Sequence, residues 1–173
     1  MTKKMIISGF GGQGVLTLGE IIAIACMNKE LKVTWTPSYG AEMRGGSANC
    51  AVIVSDSNIG SPMVQKDADC LIAMNTLSFD KFLPKVKSGG LVIANSSMIP
   101  NPYSRDDVEL FPIKATDIAL ELGGVRVSNM VALGAFIKKT NMFTEKEAFE
   151  AMSERFGTLA QINIDAIKRG LDS

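Results

Sequence analysis

The sequence predicts an α/β fold: a three-layer, mainly parallel sheet flanked by helices, in a single domain over residues 1–173, with a helical C-terminal third. Three observations carry this. Short apolar runs alternate with helix-length stretches through the first two-thirds of the chain, the pattern of a sheet wrapped by helices. The cluster Gly9-Phe10-Gly11-Gly12-Gln13-Gly14 stands between the apolar run Met5-Ile6-Ile7 and a long apolar stretch from Val15, which reads as strand, tight turn and helix start. After residue 115 the signals are those of helix starts and stops alone.

Taken in order, Met5 to Ser8 is the first strand, and Val15 to Asn28 is a helix apolar nearly all round, which must be covered on several sides. Leu31 to Thr36 is a second strand and Ser47 to Ser55 a third, ending in the turn Asp56-Ser57-Asn58. The gap from Pro37 to Gly46 is too short for the helical crossover that parallel neighbours need, so the third strand is expected either to run antiparallel or to be reached across the sheet. Asp69 to Met74 and Leu91 to Asn95 are further strands, and Val108 to Ile113 is a weaker one. Between the first two of these, Leu77 to Lys87 is helical, shortened or broken by Pro84. Thr116 to Leu122 is a short helix closed by Gly123-Gly124, and Asn129 to Lys139 is a second. Thr144-x-x-Glu147 is a capping box opening a third helix, to Phe156, which Gly157 ends.

Composition narrows the chemistry. The apolar share of 46% is ordinary for a globular chain, and eighteen basic residues balance eighteen acidic ones, so no broad field recruits nucleic acid or an anionic membrane. A neutral total favours self-association, and a homodimer is expected of the isolated chain. No apolar run reaches membrane-spanning length and no secretory leader is evident, so a cytoplasmic location is expected. Cys26, Cys50 and Cys70 stand at least 20 residues apart inside apolar runs, which reads as buried, reduced thiols and excludes short-spaced zinc or iron–sulfur motifs. The chain has no histidine, the commonest general base. No phosphate loop of the G-x-x-x-x-G-K-[ST] type and no G-x-S-x-G nucleophile turn is present either. If the chain takes part in catalysis, it does not carry the reactive centre itself.

Two stretches remain as binding candidates. The hexad from Gly9 to Gly14 fits the G-x-G-x-x-G dinucleotide fingerprint, yet the second strand ends in Trp35-Thr36-Pro37-Ser38 with no acid to hold a ribose. The turn then reads either as an anion cradle, with N–H groups at a helix N-terminus, or as a simple packing turn. The second stretch, Trp35 to Gly46, carries Ser38, Tyr39, Glu42 and Arg44. It follows a strand parallel in sense to the first, so both loops are expected on the sheet edge where open α/β folds bind ligands. There an aromatic ring, a hydroxyl and a guanidinium that can grip a carboxylate or phosphate would stand beside the turn. A solvated loop with a Glu42–Arg44 surface pair is the plainer reading.

G-F-G-G-Q-G-V, then W-x-P-S-Y-G-x-E-M-R-G-G, Asn58-Ile59-Gly60-Ser61-Pro62, Leu71-Ile72-Ala73-Met74-Asn75 and Asn129-Met130-Val131-Ala132-Leu133-Gly134-Ala135 together resemble the gamma subunit of 2-oxoacid:ferredoxin oxidoreductases. The likeness covers most of the chain and is nearest the 2-oxoglutarate and 2-oxoisovalerate branches. Ala41 departs from it, standing where the family often has proline. The resemblance implies a Rossmann-like domain that is a non-autonomous part of a larger enzyme. That enzyme decarboxylates a 2-oxoacid, 2-oxoglutarate being favoured, and passes the acyl group to coenzyme A and the electrons to ferredoxin. Thiamine diphosphate, Mg and 4Fe–4S clusters are then expected on partner subunits: alpha, beta and a ferredoxin-like delta. On this chain, Gly9, Gly11, Gly12 and Gly14 would build the turn, Gln13 would offer a side-chain amide, and the turn's N–H groups would meet coenzyme A phosphates. Ser38, Tyr39, Glu42 and Arg44 would cap the active site at the subunit junction. Asn129, at a helix start, reads as an N-cap or a ligand contact. The rival readings are a stand-alone nucleotide-binding or regulatory module and an NAD-type reductase.

Overall fold

The computed structural model describes residues 1–40, 46–100, 102, 103 and 105–173. Among these, six strands form one sheet in the order β2-β3-β1-β4-β5-β6. Strand β1 (Thr2–Phe10) is central, and its Met5, Ile6 and Ile7 are buried from both faces. Strands β4 (Ala68–Ala73), β5 (Val86–Asn95) and β6 (Glu109–Ile113) add to it in parallel on one side. On the other side β3 (Ser47–Ser55) runs antiparallel to β1 and to the outer strand β2 (Lys32–Tyr39). The short Pro37–Gly46 connection thus makes an antiparallel neighbour, and β2 regains the sense of β1 two strands away.

Period-2 alternation sends side chains to two separate cores. Cys70, Ile72 and Met74 face the larger core with Ile93, while Leu71, Ala73, Val92 and Ala94 face the smaller one. The larger core is covered by α1 (Val15–Met27), α3 (Ala115–Glu121), α4 (Ser128–Thr140), α5 (Glu145–Phe156) and α6 (Gln161–Asp172). The smaller is covered by α2 (Thr76–Phe82) with a 3-10 turn at Leu83–Lys85. This is the three-layer arrangement the sequence predicts.

Helix α1 is apolar all round because it is enclosed: Leu18, Ile21, Ile22, Ala25 and Cys26 are fully buried between the sheet and α5. Gly19 allows its close approach, since a Cβ there would collide with Cys50 Sγ and lie 3.2 Å from Trp35 Nε1. Pro37 sits in β2, an edge strand, where the ring's missing N–H is tolerated. No helix among the described residues is long and apolar enough to cross a membrane.

Several boundaries differ from the sequence expectation. The stretch expected to be helical from Leu77 to Lys87 is helical only to Phe82; Pro84 lies in the 3-10 turn and Lys87 already belongs to β5. Strand β2 continues past Thr36 through Ser38 and Tyr39, because pairing with Asn49 and Ala48 carries it on. Helix α6 was not expected at all. It has no side-chain N-cap and an interior Gly170, so local propensity is poor and tertiary packing decides.

Candidate functional site

The carboxyl ends of β1, β4, β5 and β6 converge on the edge that carries the glycine turn. Gly9 is not part of the turn but the last glycine of β1, opposite Ala48 of β3. The turn proper runs from Phe10 to Gly14 and is closed by the Gln13 N–H donating to the Phe10 carbonyl at 3.1 Å. Gly12 has φ 96° and Gly14 φ 70°, conformations that only glycine adopts freely. Gly14 is the N-cap of α1, whose first turn holds no acidic residue. Among the described residues no atom lies within 4 Å of where a Gly12 Cβ would be. The Phe10, Gly11 and Gln13 N–H groups donate within the protein, and the further backbone N–H groups at a helix start whose first turn holds no acid suit an anionic oxygen.

The two candidate loops meet, as expected from the sense of β2. The Gly11 N–H donates to the Gly46 carbonyl at 2.8 Å, where β3 begins beside β1. Ser38 and Tyr39 end the edge strand, both exposed, with Tyr39 at 71%. Ala41, Glu42 and Arg44 lie outside the described residues.

Gln13 points inward to the protein. Its Oε1 accepts from the Phe10 N–H at 2.7 Å and from Asn75 Nδ2 at 3.0 Å, while Nε2 donates to the Met74 carbonyl at 3.3 Å. The same carbonyl accepts from Asn95 Nδ2 at 3.2 Å, and Asn95 also donates to the Thr116 hydroxyl at 2.9 Å. Asn129 does not cap α4, whose N-cap is Val127; it is the second helical residue and donates to the Gly14 carbonyl at 3.1 Å. The cap reading fails because the helix begins one residue earlier than the sequence suggests. A string of uncharged amides thus ties the turn to β4, β5, α3 and α4.

The thiols are all buried and free. Burial pushes all three thiols up, Cys26 and Cys50 to about 12. Among the described residues no group of three His, Cys, Asp or Glu side chains is placed to hold a metal ion.

With this geometry in view, the model of one family, pyruvate ferredoxin/flavodoxin oxidoreductase, matches residues 4–173. The chain belongs to that family. It is 33% identical over 173 residues to the ketoisovalerate oxidoreductase subunit VorA of Methanothermobacter thermautotrophicus, covering 98% of this chain and 36% of that one. It therefore spans about a third of the length of that relative. It is also 36% identical over 155 residues to the 2-oxoglutarate synthase subunit KorC of Methanocaldococcus jannaschii, covering 87% of this chain and 81% of that one. Among solved structures, the gamma subunit of a keto/oxoacid ferredoxin oxidoreductase from Geobacter sulfurreducens superposes with a TM-score of 0.82 at 26% identity, over 98% of this chain and 96% of that one. The 2-oxoglutarate:ferredoxin oxidoreductase of Magnetococcus marinus, with 2-oxoglutarate, coenzyme A and succinyl-CoA bound, gives 0.89 at 26% identity, over 99% of this chain and 30% of that one.

In this family member, sequence reasoning found the turn and its glycines but missed Asn75 and Asn95, which are 2% and 1% exposed. The available signal was their position: Asn95 ends an apolar strand and Asn75 stands two residues past one, where the chain leaves the sheet beside the turn. A polar residue buried there needs partners, and only neighbouring loops can supply them.

Proposed function

We propose that this chain is the gamma subunit of a multi-subunit 2-oxoacid:ferredoxin oxidoreductase and that its glycine turn receives a phosphate group of coenzyme A. The observation that carries the reading is the nearly end-to-end likeness to the Geobacter sulfurreducens gamma subunit. Gly12, with no described atom near its Cβ position, and the acid-free first turn of α1 supply the local chemistry. In the assembled enzyme a 2-oxoacid and coenzyme A become acyl-CoA and CO2, and ferredoxin takes the electrons. Thiamine diphosphate, Mg and 4Fe–4S clusters reside on the alpha, beta and delta partners; the three separate buried cysteines here are not a cluster-ligating set. This chain's part is to hold the coenzyme by its N–H groups and to shape the junction with Ser38, Tyr39, Glu42 and Arg44. The 36% identity to a 2-oxoglutarate synthase subunit favours 2-oxoglutarate as substrate, with the branched-chain 2-oxoacid of the VorA relative as alternative.

An NAD-type reductase finds no support. Strand β2 carries no acid, and antiparallel β3 separates its end from the turn by two strand spacings, about 10 Å. The test is co-expression with the neighbouring subunits and an assay of ferredoxin reduction with each 2-oxoacid. The proposal expects coenzyme A-dependent activity in the complex and none in the purified chain alone. Activity of the chain by itself, or a fully active complex that lacks it, would overturn the reading.

A further inference from the structure

We infer that Asn75 is a positioning residue that holds the glycine turn in its anion-receiving shape through Gln13; the inference rests on the coenzyme A reading above. The side-chain amides can be oriented in only one consistent way. The Phe10 N–H can meet only an acceptor and the Met74 carbonyl only a donor, so Gln13 must present Oε1 to the first and Nε2 to the second. Asn75 must then turn its Nδ2 toward Gln13 Oε1, which leaves its own Oδ1 to accept the Ser78 N–H at 2.9 Å as the N-cap of α2. Both lone pairs of Gln13 Oε1 are thereby occupied.

Gly9 is glycine for the same reason: a Cβ there would lie 2.7 Å from Gln13 Oε1 and 2.8 Å from Val15 Cγ1. The first glycine of the motif makes room for the amide, and the amide fixes the Phe10 N–H at the turn's entrance. Asn95 supports the assembly from the far side by sharing the Met74 carbonyl. Every member is a neutral amide, so the turn is braced without placing a negative charge under an anion.

Asn75 joins two roles that one substitution separates. In Asn75→Asp the side chain still accepts from Ser78 and still caps α2, for Asp is as good an N-cap as Asn. It no longer donates to Gln13 Oε1 and instead sets a carboxylate against it. In the assembled oxidoreductase, the inference expects KM for coenzyme A to rise about tenfold or more. The coenzyme A-independent decarboxylation half-reaction should be unchanged, and amide hydrogen exchange should quicken at Phe10 to Gly14. An unchanged KM together with unchanged exchange would overturn the inference and reduce Asn75 to a helix cap. Faster exchange in the turn with an unchanged KM for coenzyme A would uphold the bracing role and overturn the coenzyme reading beneath it. Loss of the half-reaction in step with coenzyme A use, in a complex that still assembles, would show a general structural defect and count against the inference. Gln13→Glu, which keeps an acceptor for Phe10 but cannot donate to Met74, provides a second variant, expected to quicken amide exchange at Phe10 to Gly14; unchanged exchange in it would count against the inference.

Discussion

Asn129 on α4 donates its side-chain amide to the Gly14 carbonyl, 3.1 Å away, and so joins the helical last third of the chain to the glycine turn. The amide also occupies the space that a Gly14 Cβ would need. Asn129→Asp removes the donor and leaves a carboxylate facing a carbonyl at a site only 5% exposed. The variant should lose on the order of 1–3 kcal/mol, the cost of an unsatisfied buried polar group, and more if the carboxylate stays ionised. Urea unfolding of the purified chain reads this directly. A midpoint like the wild type's would mean that the amide is dispensable.

Helices α4 and α6 cross at Gly134 and Gly170. A Cβ on Gly170 would lie 3.0 Å from the Gly134 Cα and collide with the Val131 carbonyl; one on Gly134 would lie 2.8 Å from the Leu171 amide nitrogen. Backbone cannot yield as a flexible side chain does. Gly134→Ala and Gly170→Ala should each destabilise by about 1–3 kcal/mol or more, although alanine is the better helix former. Thermal unfolding decides the matter, and a raised Tm would refute the close crossing.

The same pair explains what the sequence hides. Apolar runs, Gly14 before Val15, and Thr144 with Glu147 are local signals, so the strands, α1 and the capping box were legible. A glycine within a helix reads locally as a defect, and its value at position 170 exists only against Gly134. The turn was legible for its glycines. The role of Gln13 was not, because its partners Asn75 and Met74 lie some sixty residues away and become neighbours only once β4 has paired with β1. Strand β2 ran longer than its pattern because β3 offers it partners as far as Tyr39.

The thiols give an independent check on packing. With Cys26 and Cys50 pushed up to about 12 by burial and Cys70 buried as well, the thiolate fraction near pH 8 is negligible. The native chain should resist an alkylating reagent at that pH and react at all three positions once denatured. Rapid native labelling of any cysteine would contradict the enclosure of α1, β3 and β4.

The Thr144–Glu147 box predicts an acid-side signature. The Thr144 N–H and hydroxyl, with Lys29 nearby, hold the Glu147 carboxyl below the usual carboxylate range. A depressed carboxyl stabilises above its unfolded value, near pH 4.5, and that contribution is lost as pH falls through the folded value. Glu147→Gln should therefore be less stable at neutral pH by under about 1 kcal/mol, since the site is exposed and screened. The gap should close in acid. Stability curves of the two proteins that stay parallel down to pH 3 would rule out the box as its source.

The central claim is that the turn at Gly12 meets coenzyme A in an assembled oxidoreductase, and Gly12→Val tests it most directly. The site has φ 96° and no described atom within 4 Å of a Cβ placed there, so valine would strain the backbone and fill the approach without striking any described residue. Measured in the reconstituted complex, KM for coenzyme A should rise at least about tenfold, a loss near 1.4 kcal/mol, while the decarboxylation half-reaction keeps its rate. An unchanged KM for coenzyme A, or an equal fall in both activities, would contradict the claim.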